Sequence, residues 1–193
     1  MRAVIFVNGE PPTPQETQAL IRPDDLIIAA DGGARHVLAA GLTPQVVIGD
    51  LDSITADDLA QAEAAGAQVI RFTPRKDETD LELALKYAAR EGATEIVVLA
   101  ALGGRLDQTI ANLLLLTLPT LAGVDARVVG REEEAFVIRR RTVIAGEPGD
   151  IVSLIPLAGD AAGVVTEGLE WPLREDTLRF GRARGVSNTM TAR

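Results

Sequence analysis

The sequence predicts an α/β fold, with a three-layer domain on a parallel sheet followed by a small all-β sandwich domain. Through the first two-thirds of the 193 residues, short apolar runs alternate with amphipathic helical patterns, which is the order of a parallel sheet with helices on its faces. Beyond about Arg131 the helical patterns stop, and short strand-like runs follow one another between turn signals. We therefore expect two domains, 1–127 and 128–193.

The strands of the first domain are predicted from short apolar runs, most of them rich in Val and Ile, that end in Gly, Asp, Asn or Pro. A further strand is expected close to the domain boundary. The predicted strands are residues 3–7, 26–30, 46–48, 68–72, 95–100 and 126–129. The second domain has strand-like runs at 135–138, 142–145, 150–155, 163–166 and 177–180.

Helices are predicted between these strands. Thr13, Pro14 and Glu16 combine a capping box with proline at the first helical position. Glycines end the next patterns, because glycine readily adopts the left-handed conformation of a helix C-cap. The predicted helices are one starting at Thr13 and others over 34–40, 55–65, 81–88 and 110–117.

Composition excludes several function classes. The chain has no cysteine, which removes disulfides, thiolate catalysis and cysteine-ligated metals. His36 is the sole histidine, so Ser-His-Asp chemistry would depend on this one residue, which we interpret as a surface or boundary position of a helix. A net charge of −9 argues against binding nucleic acid through basic contacts. With no signal peptide or membrane span in view, a cytoplasmic protein is expected.

The loops that follow the predicted strands share glycine and aspartate, and the carboxyl ends of parallel strands are where such sheets bind ligands. We expect these loops to converge on one rim. Glycine, aspartate, Lys76 and Arg105 together suit a polyphosphate neutralised by Mg²⁺, which indicates nucleotide chemistry without a Walker loop. The loops are Asn8-Gly9, Asp31-Gly32-Gly33, Gly49-Asp50-Leu51-Asp52-Ser53, the run from Thr73 to Asp80, and the run from Leu102 to Gln108.

Each loop also has a purely structural interpretation. The Asp50 and Asp52 loop can form a turn and a helix cap instead of a Mg²⁺ site. Thr79 begins a capping box, which does not explain why Lys76 and Asp77 precede it. The glycine pair before Arg105 can be a tight turn instead of a phosphate cradle, with Arg105 paired to an acid such as Asp107 or Glu95.

The motifs in this order and spacing closely resemble the thiamine pyrophosphokinase (thiamine diphosphokinase) family. The resemblance extends over nearly the whole chain, and the ordered set is far more specific than any one motif. The matching motifs are Asp31-Gly32-Gly33-Ala34, Gly49-Asp50-Leu51-Asp52-Ser53, Lys76-Asp77-Glu78-Thr79-Asp80, Leu102-Gly103-Gly104-Arg105-Leu106-Asp107, Gly168-Leu169-Glu170-Trp171-Pro172-Leu173 and Gly185-Val186-Ser187-Asn188.

The resemblance implies transfer of a diphosphoryl group from ATP to thiamine, releasing AMP, by a homodimer with sites between subunits. It implies Mg²⁺ bound by Asp50, Asp52 and Asp77, with Asp80 supporting them or holding the substrate hydroxyl. Arg105 and Asp107 would contact ATP as catalytic residues, and Gln108 stands where the family more usually has histidine. The residues implied to contact ATP are Asp31, Gly32, Gly33, Ser53, Lys76, Gly103, Gly104, Gln108 and Asn112. Those implied to line the thiamine pocket are Trp171, Ser187 and Asn188.

Two other functions are compatible with parts of the sequence. The run from Asp50 to Ser53 could be the nucleophile loop of a haloacid-dehalogenase-type phosphatase, although that family places it after the first strand and here it follows the third. A sensing module without turnover could keep the glycines and Trp171, but would not need the full set of aspartates.

Overall fold

Seven strands of the first 137 residues pair into one sheet in the computed structural model, which describes residues 1–191. The spatial order is β4-β3-β2-β1-β5-β6-β7, and every neighbouring pair is parallel except β6 with β7. The strands are β1 Arg2–Phe6, β2 Leu26–Ala30, β3 Val46–Gly49, β4 Gln68–Arg71, β5 Glu95–Leu99, β6 Asp125–Val129 and β7 Glu134–Phe136. The predicted parallel sheet is confirmed.

Five α-helices connect these strands: α1 Pro14–Leu20, α2 Ala34–Ala39, α3 Ala56–Ala64, α4 Asp80–Arg90 and α5 Leu106–Leu115. The predicted capping box of α1 is present, since Thr13 Oγ1 accepts from the Glu16 amide and the Glu16 carboxylate accepts from the Thr13 amide. Short 3₁₀ turns cover Asp31–Gly33 and Pro119–Leu121.

Helices cover both faces of the sheet, so its central strands are buried on both sides. Successive side chains of a strand point to opposite faces, and in β1 Ile5 joins the cluster that includes Leu85 of α4. Its neighbour Phe6 joins the cluster on the other face, with Val37 of α2 and Ala62 of α3. This burial explains why the strands read as continuous apolar runs instead of alternating ones.

The chain reverses its direction of winding at β1. From β1 it proceeds through β2 and β3 to β4 on one side, and the later strands β5 to β7 lie on the other side. Such a switch point opens a crevice at the carboxyl ends of the two central strands. The loops after β1 and β5 meet there, where the Gly9 amide donates to the Ala100 carbonyl at 2.7 Å and the Glu10 amide to the Leu102 carbonyl at 2.8 Å.

The second unit, from Ile138 onward, contains short antiparallel strands. Strand β8 Ile151–Val152 pairs with β11 Asn188–Thr189, and β9 Ala161–Val164 pairs with β10 Asp176–Leu178. An isolated bridge joins Leu169 and Met190. The all-β character of this unit was predicted correctly, but the strand predicted over 142–145 is wrong. Val143 is 87% exposed, so its β-branched side chain has no sheet face to pack on.

The predicted domain boundary lies ten residues before the observed one, which falls between Val137 and Ile138. Strand β7 is the reason. A turn closed by the Gly130 amide and the Glu133 carbonyl at 2.8 Å brings β7 back antiparallel to β6, so β7 extends the first sheet. The strand predicted over 135–138 for the second domain is therefore the edge of the first. Within residues 1–191, no helix is long and apolar enough to cross a membrane.

Candidate functional site

Three aspartates that are distant in the sequence meet at the carboxyl edge of the sheet. Asp31 follows β2, Asp50 follows β3, and Asp80 is the first residue of α4. One carboxylate oxygen from each lies within 4.8 Å of the others. In the part of the chain that the structure describes, this is the only group of three acidic or histidine side chains so arranged. We call it the Asp31-Asp50-Asp80 cluster.

Gly49 makes this convergence possible. Its φ is +149°, a conformation that residues with a side chain rarely adopt. A Cβ at this position would lie 2.9 Å from Cγ of Asp80 and 3.1 Å from Cβ of Asp31. Glycine at the last position of β3 therefore leaves the space in which the side chains of Asp31 and Asp80 come together.

Lys76 places its ammonium group inside the cluster. Its Nζ lies 3.1 Å from Oδ2 of Asp50, to which it donates a hydrogen bond, and 3.0 Å from Oδ1 of Asp80. The Lys76 side chain is only 11% exposed. Burial lowers the pKa of this lysine, but the carboxylates of Asp80 and Asp50 outweigh burial and hold the pKa above its usual value. Lys76 is therefore a charged counterion for two of the three carboxylates.

Asp31 is the most buried member of the cluster, at 5% exposure. Its carboxylate accepts hydrogen bonds from the backbone amides of Ser53, at 3.1 Å, and Ile54, at 3.2 Å. Burial raises the pKa of Asp31, and these hydrogen bonds act in the opposite direction. The side chain thus anchors the far end of the loop that carries Asp50 and Asp52.

Two buried oxygens of the cluster have no hydrogen-bond donor: Oδ1 of Asp50 and Oδ1 of Asp80, the latter only in ion-pair contact with Lys76. Buried carboxylate oxygens without donors are costly unless a cation neutralises them. Carboxylates are also the ligands that Mg²⁺ prefers. The chemistry of this donor set therefore fits a hard divalent cation.

The predicted metal set and the observed cluster share Asp50 and differ in the other members. Asp52 is exposed, and its carboxylate accepts from the Ser53 hydroxyl at 2.8 Å. Asp77 is exposed in the loop before α4. The structure does not bring these two carboxylates into the group with Asp50. Asp31, expected to contact the nucleotide, and Asp80, expected in a supporting role, both lie in the group.

The second part of the rim is the glycine pair before α5. Gly103 and Gly104 have φ of +81° and +66°, which favours glycine at both positions. A Cβ on Gly103 would lie 2.5 Å from Cδ of Glu10, so the Glu10 side chain lies against this glycine, which is still exposed. Arg105 donates through Nε to Oδ1 of Asp107 at 3.1 Å and through Nη2 to Oδ2 of Asp107 at 2.6 Å. The ion pair between Arg105 and Asp107 is the structural alternative to a phosphate contact that the sequence left open. Both side chains are exposed, so water screens their attraction.

Several of the residues expected to contact ATP make contacts that hold helices against strands and loops. A Cβ on Gly33 would lie 2.1 Å from the Phe6 carbonyl oxygen, so this glycine allows α2 to begin close against β1. Gly32 is likewise close to the Asn8 side chain. The buried amide of Asn112 donates to the Ala101 carbonyl at 2.8 Å and ties α5 to the loop after β5. Gln108 is exposed.

In the second unit, the predicted thiamine residues lie together. Trp171 is 59% exposed, so it is not a core residue. Its amide donates to Oδ1 of Asn188 at 3.0 Å, and Nδ2 of Asn188 donates to the Trp171 carbonyl at 2.7 Å. The Ser187 amide donates to the Ser153 hydroxyl at 3.1 Å, and Ser187 has a φ of +60°. These contacts fix the backbone of Trp171 against the Asn188 side chain and leave the indole ring exposed.

Strained backbone accumulates at the same places. Asp31, Leu51 and Ala100 have φ of +46°, +63° and +56°, and they follow β2, β3 and β5. Non-glycine residues in this region carry strain of about 1–3 kcal/mol each, which persists where the surroundings enforce it. These three positions all lie at the carboxyl edge of the sheet.

The fold and the site together define an α/β enzyme with an acidic, glycine-rich site at the carboxyl ends of its strands, followed by a small antiparallel β unit. The family model for the thiamin pyrophosphokinase catalytic domain matches residues 17–126, and that for the thiamin pyrophosphokinase vitamin B1 binding domain matches residues 138–193. The chain belongs to the thiamin pyrophosphokinase family. The second match begins at Ile138, where the second unit begins.

Individual relatives agree with this assignment. The thiamine pyrophosphokinase of Bacillus subtilis (strain 168) is 28% identical over 167 residues, which are 86% of this chain and 78% of that protein. Thiamine pyrophosphokinase 2 of Arabidopsis thaliana is 28% identical over 215 residues, an alignment that covers 96% of this chain and 78% of that protein. The crystal structure of the Bacillus subtilis enzyme has a TM-score of 0.82 at 24% identity and covers 99% of this chain and 90% of its own. That structural likeness shows a shared fold.

Sequence reasoning missed Glu10 and Gly49 as determinants of the site. Glu10 lies in the loop after β1, and Gly49 is the last residue of β3 and part of a loop motif described above. Their importance comes from contacts with Gly103 and with Asp80, across 93 and 31 positions of the chain, which no local pattern reveals. The signal available in the sequence was that Gly49 directly follows the predicted strand 46–48 and that Glu10 lies three residues after the predicted strand 3–7.

Proposed function

We propose that this protein transfers the terminal diphosphoryl group of ATP to the hydroxyethyl oxygen of thiamine in a Mg²⁺-dependent reaction, giving thiamine diphosphate and AMP. The observation that carries the proposal is the Asp31-Asp50-Asp80 cluster, which lies on the glycine-rich carboxyl edge of a chain with both family segments. In this reaction a bond forms between the thiamine oxygen and the β-phosphorus of ATP. The bond from that phosphorus to the α,β-bridging oxygen breaks, and the hydroxyl proton is released.

The divalent cation belongs in the acidic loops. Asp50 and Asp80 offer buried oxygens without donors, and this supports them as ligands. Asp52 and Asp77, the other two ligands implied by family resemblance, are exposed. Asp52 lies in the loop that bears Asp50, and Asp77 in the loop before α4, where the phosphates of a nucleotide would arrive. Mg²⁺ bound there would neutralise charge on the diphosphoryl group. Replacing Asp52 by Asn should therefore nearly abolish turnover with little change in the free energy of unfolding.

The remaining rim residues position the nucleotide. Gly103 and Gly104 present backbone amides before α5, and Arg105 offers a planar fork suited to phosphate oxygens once its exposed contact with Asp107 opens. Such chemistry depends on positioning and charge stabilisation, not on a covalent nucleophile. The absence of cysteine and the single histidine are consistent with this mechanism.

In this proposal, the second unit binds thiamine. The exposed indole of Trp171 offers a flat π-face to the cationic thiazolium ring, and Asn188 fixes the backbone on which the indole stands. Substituting Trp171 by Ala should raise the KM for thiamine with little effect on the KM for ATP. We further propose that the enzyme acts in the cytoplasm as a homodimer, which sedimentation at catalytic concentrations would test.

The decisive experiment incubates the purified full chain with thiamine, ATP and Mg²⁺ and separates the products by chromatography. Thiamine diphosphate and AMP should form in equal amounts, and EDTA should stop the reaction until Mg²⁺ is restored. ADP as the sole nucleotide product would overturn the proposal. Rapid hydrolysis of an aryl phosphate without thiamine would instead favour a phosphatase.

A further inference from the structure

We infer that Lys76 competes with the divalent cation for the carboxylates of Asp50 and Asp80, so that metal binding expels its ammonium group from the Asp31-Asp50-Asp80 cluster. This inference rests on the proposed function, because it concerns the cation that the function requires. It assigns to Lys76 a task beyond that of a phosphate contact, namely control over when the acidic site accepts a metal ion.

The geometry places the lysine and a metal ion in conflict. Nζ of Lys76 lies 3.1 Å from Oδ2 of Asp50 and 3.0 Å from Oδ1 of Asp80, and both carboxylates belong to the only metal-competent group in residues 1–191. The side chains are largely buried, at 11% exposure for Lys76 and 13% for Asp50, so water screens the contacts weakly. A divalent ion and an ammonium group cannot both occupy this space, because their charges repel.

The chain allows the exchange. Lys76 lies in the loop between β4 and α4 and not within a helix or strand, and its four-carbon side chain can redirect the ammonium group without moving the backbone. Asp50 and Asp80, in contrast, are held by the end of β3 and the start of α4. The carboxylates therefore stay in place while the lysine leaves, and the expelled ammonium lies next to the loop where nucleotide phosphates arrive.

A coupling between metal and nucleotide follows. Without nucleotide, a metal ion must displace a buried ion pair, so it binds weakly. With nucleotide, the expelled ammonium gains phosphate oxygens as partners, and the metal binds more tightly. Such coupling is reciprocal, so the metal also tightens nucleotide binding by the same factor. The site would thus bind the metal ion together with the nucleotide.

The wild-type protein can report the exchange directly, because the chain has only two lysines, Lys76 and Lys86. Lys86 forms ion pairs with Glu78 and Glu82 outside the cluster, so it is an internal control. Reductive methylation followed by mass spectrometry measures the modification rate of each lysine. We expect Mn²⁺ to accelerate modification of Lys76 several-fold and to leave Lys86 unchanged. A Lys76 rate that Mn²⁺ leaves unchanged or lowers would overturn the inference.

Substitutions give a second test that does not use activity. In nucleotide-free protein, K76M should bind Mn²⁺ about tenfold more tightly than wild type by electron paramagnetic resonance, a factor within the usual range of coupling between sites. K76R keeps the charge and should bind Mn²⁺ like wild type, and so should the control K86M. Equal or weaker Mn²⁺ binding by K76M would count against the competition. If K76M is unstable, the methylation rates of the wild type still decide.

The outcomes separate this inference from the proposed function. A chain that makes thiamine diphosphate and AMP with Mg²⁺, but shows no effect of Mn²⁺ on Lys76, retains the function and loses the competition. A chain that binds no Mn²⁺ and makes neither product loses both.

Discussion

Gly49 shows how a residue without a side chain can determine the geometry of an acidic site. Its conformation is one that other residues adopt with strain, and the space where a Cβ would lie is already taken by the carboxylate of Asp80. The three carboxylates can approach one another because Gly49, the residue next to them, has no side chain. The role of Gly49 can therefore be tested by a single substitution at this position.

The substitution Gly49→Ala should destabilise the fold by about 2–4 kcal/mol, through backbone strain and contact with Asp80, and should abolish activity by displacing that carboxylate. Gly66→Ala is the matched control. Gly66 also has a positive φ, of +92°, but a Cβ there meets nothing within 4 Å. It should cost about 1–2 kcal/mol and leave kcat unchanged. Urea unfolding and steady-state kinetics measure both effects, and equal kcat in the two variants would contradict this account.

His36 provides a single-residue probe of pH dependence. Burial and the nearby charge of Arg35 lower the pKa of His36 below its ordinary value of 6.5. As the pH falls through 6.5, the unfolded chain gains a proton at this residue and the folded chain does not, so the free energy of unfolding decreases.

An NMR titration of the sole imidazole should therefore give a pKa below 6.5. The variant His36→Gln should lose less stability than wild type between pH 7 and about pH 5. A pKa at or above 6.5 would show that the imidazole is better solvated than the structure indicates.

At the scale of elements, the helix that begins at Asp80 carries a carboxylate of the Asp31-Asp50-Asp80 cluster at its first residue. Thr79 is the N-cap of α4, and its Oγ1 accepts from the Glu82 amide at 3.2 Å. Thr55 caps α3 in the same way, accepting from the Asp58 amide at 3.1 Å. The two caps are chemically alike, but only the first supports a helix end in the acidic cluster.

Replacing either threonine by Ala should cost about 1 kcal/mol, as the loss of an N-cap usually does. Thr79→Ala should also lower kcat several-fold, because fraying of the first turn of α4 displaces Asp80. Thr55→Ala should leave kcat unchanged. Thermal melting and kinetics on the pair give the comparison, and an unchanged kcat in Thr79→Ala would show that other contacts hold Asp80.

At the scale of the whole molecule, a net charge of −9 acts on both proposed substrates. Cationic thiamine is attracted by an acidic protein, and added salt screens that attraction over a Debye length of about 8–10 Å at ordinary ionic strength. The KM for thiamine should therefore rise as NaCl increases from about 20 to 300 mM, measured at saturating ATP and Mg²⁺. A thiamine KM that stays constant or falls over this range would show that local contacts dominate.

The sequence by itself determined the elements and the edge of the sheet where the site lies. Apolar runs and capping patterns are local, so they predicted β1 to β6 to within one residue at each end. The helices between them were predicted less closely, since α5 begins at Leu106, four residues before the predicted start at 110. Because parallel strands align their carboxyl ends, the loops after them had to share one rim. The motifs in those loops, taken in order, were enough to identify the family.

Only the tertiary structure decided which side chains meet. Asp31, Asp50 and Asp80 lie 19 and 30 positions apart, and they converge because β2 and β3 are neighbours with α4 beginning beside them. The antiparallel return of β7, which moved the boundary to Val137, is likewise a pairing between strands. Strand order and register depend on the packing of the whole sheet, and the local patterns of the sequence do not contain them.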